Sequence, residues 1–593
     1  MISDAEQDAV LSDLSHRLLI EAAPGSGKTR TAVRLIARDI DAALIGPTQR
    51  VLVLTFSRNA RAQLDSYAKE ILTGEQRKLA EITNYHAWFW SKVHQFHMSL
   101  GLPEEIELVP QAQRDLDVRA SMLAEGITPG KKSGEGNPAD YSLALEYELE
   151  NGRPERFAAP LAKGEEVGGL LRQRHEMSGR LHYDDLAFYA WCLVDGSKTL
   201  RELWRHKYPV IILDEYQDAS PLQASIIERL GGPGHRIYAF ADPLQQIYAW
   251  RDASPRRLAE FRSKGTSEHT LRTLHRYRHR PALQAWMQQA RDVLLDDGAA
   301  VTVPRPSEIT ILRYDPNQPE KGKVWGADAR ELFQLDRPIS TAFKEEGIVT
   351  IAVLSRKHTH LAVVHRRLAK SFRCGRLRAS EDGLDLAVEW VEGHASAVTP
   401  EHHARRLLDL AQAVAPRHPA LDLESRIGPE GMNVKGLRRP RRGLSESINA
   451  LLPRCETLGG AFEAAQAALN LARTGQDPRV IDWDTLYAIR RVLQTPGGIA
   501  DAELLERTKS RVVQARFSAA PSPRRGLYLL TCHEGKGKEF DLVVIPHLSG
   551  TNFGDDEESR QLLYVSLSRA RHRLLLRIPL GDEPAICKRL GLV

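Results

Sequence analysis

Cysteine is sparse. The 593 residues hold five, at 192, 374, 455, 532 and 587, and no two form a CxxC pair. That scatter argues against a zinc site and against a disulfide framework. No stretch approaches the roughly 18 consecutive apolar residues that a membrane-crossing helix needs, so no membrane partner is expected. The opening residues, MISDAEQDAV, lack the basic and apolar regions of a secretory leader. A cytoplasmic protein is therefore expected. Charge of one sign is also missing: 82 Lys plus Arg against 77 Asp plus Glu leave a formal charge of +5. Such a balance neither demands nor opposes a nucleic-acid partner. Hydrophobic residues at 42% and charged residues at 27% fit globular domains. The length allows roughly three to five of them, and no internal repeat stands out.

What the chain does have is a series of short apolar runs, each followed by a polar or glycine-containing turn. RLLIEA (17–22), RVLVLTF (50–56), PVIILDE (209–215) and RIYAFAD (236–242) form one set. GIVTIAVLS (347–355), GLYLLT (526–531), DLVVIPHL (541–548) and RLLLRIPL (573–580) form another. Runs without alternation suit strands buried on both faces. After the first run, TAVRLIARDI puts Val33, Ile36 and Ile40 on one helical face. The alternation of strand and helix predicts an α/β fold with a parallel sheet in each half. Long segments that lack strand patterning interrupt both halves. One contains the exposed-loop sequence KKSGEGNPAD (131–140) and the other the basic run KGLRRPRRG (435–443). That basic run suits a DNA backbone or, slightly better given its Gly and Pro, a solvated loop.

Between the first strand and its helix lies AAPGSGKT, residues 22–29. A turn of small residues can wrap backbone N–H groups around phosphates at a helix N-terminus. Lys28 would reach the outer phosphates and Thr29 would ligate Mg²⁺. PVIILDEYQD supplies the partner: a buried strand delivers Asp214, for the metal, and Glu215, to accept a proton from attacking water. These residues together predict a P-loop NTPase that uses Mg²⁺. FADPLQQIYAWRDA (240–253) poses a further question. It reads either as a hairpin with core aromatics or as one segment that touches two ligands.

With DEYQD added to AAPGSGKT, the sequence resembles the superfamily 1 helicases of the UvrD/Rep/PcrA type, over both halves. TFSRNARAQL (55–64) resembles that family's motif Ia, TNYHAW (83–88) motif Ib, and LHYDDLAFYA (181–190) its DFDDL element. FADPLQQIYAWRDA resembles motif III, LHRYRHRPAL (274–283) motif IV, TCHEGKGKEF (531–540) motif V and EESRQLLYVSLSRA (557–570) motif VI. The resemblance implies two RecA-like P-loop lobes, each with a mainly helical insertion. Residues 1–86 and 190–280 would form lobe 1A, 87–189 insertion 1B, 281–370 and 521–593 lobe 2A, and 371–520 a reduced or divergent 2B-like insertion.

It also implies roles for single residues. ATP would be held by Ala22, Ala23, Pro24, Gly25, Ser26, Gly27, Lys28, Thr29 and Arg30, with Tyr277 stacking on adenine and Glu539 at the ribose. Gln245 would sense the γ-phosphate. Arg278 and Arg569 would reach that phosphate from the second lobe, which places the nucleotide between lobes. Single-stranded DNA would meet Phe56, His86, Tyr248, Trp250, Arg251 and His533, because bases stack on aromatic faces without sequence preference. The chain departs from the family at its N-terminal glutamine, whose slot holds Glu6 while Gln7 lies one residue later. Arg276 stands where asparagine is common, and no GGxxFF-like element follows VLSR (353–356). The implied activity is ATP-driven translocation and unwinding, 3′ to 5′ by analogy, on single strands and duplex junctions, in repair or antiphage defence. The alternative is a DNA-sensing ATPase that signals to a partner nuclease with little unwinding, as in a Gabija-type system. The chain ends soon after motif VI, so no fused nuclease is expected.

Overall fold

The computed structural model describes residues 4–247 and 255–315 apart from 110, 131–136, 139, 150–162 and 297–298. It further describes 335–357 apart from 346, then 399–414, 430–433, 445–473 and 526–593, with short pieces between 360 and 511. KGLRRPRRG and most of KKSGEGNPAD lie outside the described residues. The chain divides into two compact units, Met1–Val303 and Pro304–Val593.

In the first unit six strands form one sheet: β1 (Arg17–Ala22), β2 (Val51–Thr55), β3 (Ala80–Asn84), β4 (Val210–Leu213), β5 (Arg236–Ala241) and β6 (Ser267–Leu271). Their order across the sheet is β3-β2-β4-β5-β1-β6. Every pairing is parallel, with Leu18 opposite Tyr238 and Val53 opposite Ile212. The apolar runs of β2 and β4 are buried at every position, as strands covered on both faces must be. Helix α1 (Ala5–Ser12) precedes β1, and α2 (Lys28–Asp41) follows it with Val33 and Ile36 buried. These side chains join Leu18, Ile20, Val51, Ile212, Tyr238 and Phe240 in one core. Because all six strands run the same way, their carboxyl ends lie along one edge.

Helices Gln111–Ala124, Gly164–Ser178 and Leu186–Gly196 fill the stretch between β3 and β4. They meet around a buried ion pair, Arg114 to Asp185 at 2.6 Å, with both side chains 1% exposed. Asp185 also accepts from the His182 backbone N–H at 2.7 Å and lies 3.5 Å from His175 Nε2. Burial lowers the His175 pKa, and Asp185 opposes that shift. The second aspartate of the LHYDDL element thus works as a buried cap and counter-charge for this helical group.

The second unit repeats the parallel plan with β7 (Ile309–Tyr314), β8 (Thr350–Ser355), β9 (Cys374–Gly375), β10 (Gly526–Thr531), β11 (Phe540–Ile545) and β12 (Ala570–Pro579). Their order is β9-β10-β8-β11-β12-β7. A separate core joins helices Pro400–Val414 and Leu458–Arg473 through Leu407, Leu408, Ala461, Phe462 and Ala465. The helix Pro281–Leu295, expected in the second lobe, belongs to the first unit. β3, β6 and β7 do not stand out in the sequence. All three border their sheets, and their mixed burial gives polar, irregular patterns such as SEHTL. Among the described residues no helix is long and apolar enough to cross a membrane, and Cys192, Cys455, Cys532 and Cys587 are free thiols.

Ile212 is fully buried in β4, near the middle of the sheet. Ile212→Ala is expected to destabilise the first unit by about 3 kcal/mol, read as a lower denaturant midpoint. Leu203→Ala, at a site 53% exposed, should change stability by less than about 0.5 kcal/mol.

Candidate nucleotide-binding site

β1 ends in the loop that leads into α2. Gly25 and Gly27 there have φ of +83° and +91°, a left-handed backbone natural to glycine. A Cβ on Gly25 would lie 2.7 Å from Arg276 Cβ, and one on Gly27 would lie 2.4 Å from the Gln7 amide. Neither glycine could carry a side chain without displacing its neighbour. Gly27 caps α2 with no side-chain hydrogen bond, so the first-turn N–H groups of a 14-residue helix face the loop. Ser26 turns inward instead, its hydroxyl donating to the Ala23 carbonyl at 2.8 Å. The backbone of the turn His275–Tyr277 closes over the loop, with Arg276 N–H donating to the Gly25 carbonyl at 3.2 Å.

Three carboxylates crowd this loop from the neighbouring strand ends. Lys28, nearly buried, pairs with Glu215 Oε1 at 2.5 Å. Burial works against its ammonium, yet Glu215, Asp214 and Asp242 outweigh it and hold its pKa above the usual value. Asp214 accepts from the Thr55 hydroxyl at 3.0 Å. Burial pushes its pKa up to about 6, with Glu215 adding and Lys28 and Thr55 opposing. Glu215 has φ +54° and ψ +41°, a left-handed backbone that costs a non-glycine residue roughly 1–2 kcal/mol. That bend after β4 turns its carboxylate toward Lys28. The second Glu215 oxygen accepts from Gln217 Nε2 at 2.6 Å. Gln245, 3% exposed after β5, donates its amide to Asp242 Oδ2 at 2.7 Å.

The other expected residues divide into groups. Gln7 faces the loop: its amide donates to the Ser26 carbonyl at 3.3 Å and its Oε1 accepts from Arg34 at 3.4 Å. Glu6 turns elsewhere and accepts from the Arg272 and Thr273 N–H groups at 2.8 and 3.0 Å. Ala22, Ala23 and Pro24 are buried, Thr29 and Arg30 half-buried, and Tyr277 is buried at 1% exposure. Arg278 requires a correction. It lies in the first unit, at the end of the 275–277 turn, with its Nε 2.9 Å from His279 Nε2. It is held there because the following helix packs with the first unit. Phe56 follows β2, and His86 opens helix Tyr85–Phe96 after β3, so both leave the same sheet edge as the loop. The His86 ring sits edge-on to Tyr183, 6.0 Å between centroids. Tyr248, Trp250 and Arg251 lie outside the described residues.

In the second unit, Arg569 is 3% exposed and donates to the Val565 carbonyl at 2.9 Å and the Ser568 hydroxyl at 2.8 Å. Glu539 accepts from Arg571 at 3.0 Å, and His533 lies half-buried in the turn Cys532–Gly535. Sequence reasoning missed Thr55, Gln217 and Asp242. The last two stand inside DEYQD and FADPLQQ, and that position was the available signal.

The arrangement suits a magnesium triphosphate. N–H groups and Lys28 are placed for phosphate oxygens, and the Thr29 hydroxyl and the Asp214 carboxylate for a divalent cation. The raised pKa of Asp214 marks a negative site that a cation would relieve. Among the described residues no group of three or more His, Cys, Asp or Glu forms a metal site of its own.

Comparison with known proteins agrees with this chemistry. Residues 2–265 match the UvrD/REP helicase N-terminal domain and residues 526–576 the UvrD-like helicase C-terminal domain. The chain is 23% identical to the ATP-dependent DNA helicase UvrD2 of Mycobacterium tuberculosis, over 98% of this chain and 79% of that protein. It is 22% identical to the putative ATP-dependent DNA helicase YjcD of Bacillus subtilis, over 97% of this chain and 78% of the relative. The ATP-dependent DNA helicase Rep of Salmonella typhimurium is 25% identical over 40% of this chain and 36% of its own length.

The charge on Asp214 sets a pH-dependent stability. Its folded pKa lies above the ordinary carboxylate value, so its contribution is most favourable at low pH and is lost as pH rises through about 6. Asp214→Asn is expected to raise the melting temperature of the free protein at about pH 7.5, with the gain shrinking toward about pH 4. Melting curves across that range check it; a gain independent of pH would contradict an origin in the Asp214 charge.

Proposed function

With the N-terminal domain of the UvrD/REP helicases and the C-terminal domain of UvrD-like helicases, the chain belongs to that family of ATP-dependent DNA helicases, and we propose that it couples ATP hydrolysis at Lys28 and Glu215 to 3′-to-5′ movement on single-stranded DNA. The observation that carries this reading is the Lys28–Glu215 contact at 2.5 Å, on a loop whose glycines leave no room for side chains. The ammonium and the carboxylate satisfy each other. Nucleotide binding would hand Lys28 to the outer phosphates and free Glu215 to take a proton from water. Mg²⁺, held by Thr29 and Asp214, would supply charge neutralisation between the phosphates.

The remaining assignments follow the same logic. Gln7 reads adenine in place of Glu6, because it is Gln7 that faces the loop. Tyr277 and Glu539 take the base and ribose. Gln245 senses the terminal phosphate, and Arg278 and Arg569 neutralise its developing charge. Phe56, His86, Tyr248, Trp250, Arg251 and His533 contact the strand. For Phe56 and His86 the support is their half-exposed position beyond the carboxyl ends of β2 and β3, the edge that also carries the phosphate loop.

Single-stranded DNA is expected to raise ATP turnover by about tenfold or more, and Lys28→Ala to abolish turnover with and without DNA. Trp250→Ala should spare basal turnover and weaken the stimulation. Strand displacement on 3′- and 5′-tailed duplexes tests direction, with opening from the 3′ tail expected. Turnover indifferent to DNA would defeat the reading. DNA-stimulated turnover without displacement would favour a sensing ATPase that acts through a partner nuclease.

A further inference from the structure

Asp242 directly follows β5, with a side chain sealed from solvent. Its Oδ2 takes the Gln245 amide at 2.7 Å, and its Oδ1 takes Arg291 Nη1 at 2.7 Å. Its backbone N–H donates to Gln217 Oε1 at 3.0 Å. Gln217 in turn donates to Glu215 at 2.6 Å, and its carbonyl accepts from Gln246 at 2.9 Å. An unbroken chain of contacts therefore runs from Arg291 through Asp242 and Gln217 to Glu215 and Lys28. Arg291 comes from helix Pro281–Leu295, past the end of the segment 274–283 that holds Tyr277 and Arg278.

We propose that Arg291 is a positioning residue for ATP hydrolysis: it neutralises and orients Asp242, which fixes the Gln245 amide directly and the Glu215 carboxylate through Gln217. This rests on the ATPase reading. A carboxylate sealed from water needs a bonded cation or it protonates. Among the described residues Arg291 is the cation bonded to Asp242. Lys28 feels the same carboxylate, but in the working site it must serve phosphate. Without Arg291, Asp242 would lose the cation bonded to its Oδ1 and turn toward Lys28, releasing the sensor amide. The segment that carries Arg291 also holds the other side of the site, since Arg276 N–H bonds the Gly25 carbonyl. One stretch, 276–291, thus touches both the phosphate loop and the sensor.

Arg291→Met and Arg291→Lys are compared with the unaltered chain in steady-state ATP hydrolysis with single-stranded DNA, alongside melting temperatures. Arg291→Met is expected to lower kcat by about tenfold or more while KM for ATP changes by less than about threefold, and Arg291→Lys to recover part of the rate. Removing one partner of a buried ion pair also costs stability, so the double variant Asp242→Asn/Arg291→Met is measured too. It lifts the stranded charge and should fold, yet it should remain slow. Turnover of Arg291→Met within about twofold of the unaltered chain would overturn the inference, as would full recovery of kcat in the double variant. Absence of hydrolysis in the unaltered chain is a separate outcome: it removes the ATPase reading, and this inference with it.

Discussion

The contact between Lys28 and Glu215 is the hinge of the whole arrangement. One ammonium stands among three carboxylates, and its raised pKa together with the raised pKa of Asp214 records the imbalance. Hydrogen bonds offset this negative surplus: Thr55 holds Asp214, Gln217 holds Glu215, and Arg291 holds Asp242. A site of that charge suits a divalent cation, which would relieve it.

The parallel sheet makes such crowding feasible. β4, β5 and β1 are neighbours, so the residues just beyond their carboxyl ends converge although they lie some 190 positions apart in the chain. Backbone conformation then does the aiming. Two left-handed glycines let the phosphate loop approach the 275–277 turn and Gln7 closely. The left-handed bend at Glu215, unfavourable for that residue type, is kept because β4 on one side and the turn Tyr216–Asp218 on the other over-determine it. β2 and β3 end at the same edge with Phe56 and His86. Phe56 and His86, two of the residues proposed for the strand, thus sit on the sheet that carries the phosphate loop.

Much of this was legible in the sequence, for physical reasons that differ by element. β1 and β10 occupy the residues that their apolar runs mark, because a strand buried on both faces needs an unbroken run and turns bound it sharply. AAPGSGKT and DEYQD name the groups that the chemistry needs. Border strands such as SEHTL were illegible, since their partial burial admits polar residues that break up an apolar run. Glu6 and Gln7 were an ambiguity in the sequence; α1 directs Glu6 to the 272–273 backbone and Gln7 to the loop. The links from Gln217 to Asp242 and from Asp242 to Arg291 could not be read. Nothing in a linear pattern says that a glutamine at 217 will bond a backbone N–H at 242, or that a helical arginine at 291 will close the set. Arg278 shows the opposite error, in which a motif suggests a role and the surrounding helix decides the unit in which that role is played.

The central claim is that Glu215 holds Lys28 until phosphate takes it. ATP affinity of the Glu215→Gln variant, measured by calorimetry with Mg²⁺ and paired with its turnover, tests this most directly. ATP binding is expected to tighten by about tenfold, because Lys28 no longer has to leave a carboxylate, and hydrolysis to fall by about a hundredfold or more. Binding that weakens or stays the same, or hydrolysis that survives, would contradict it.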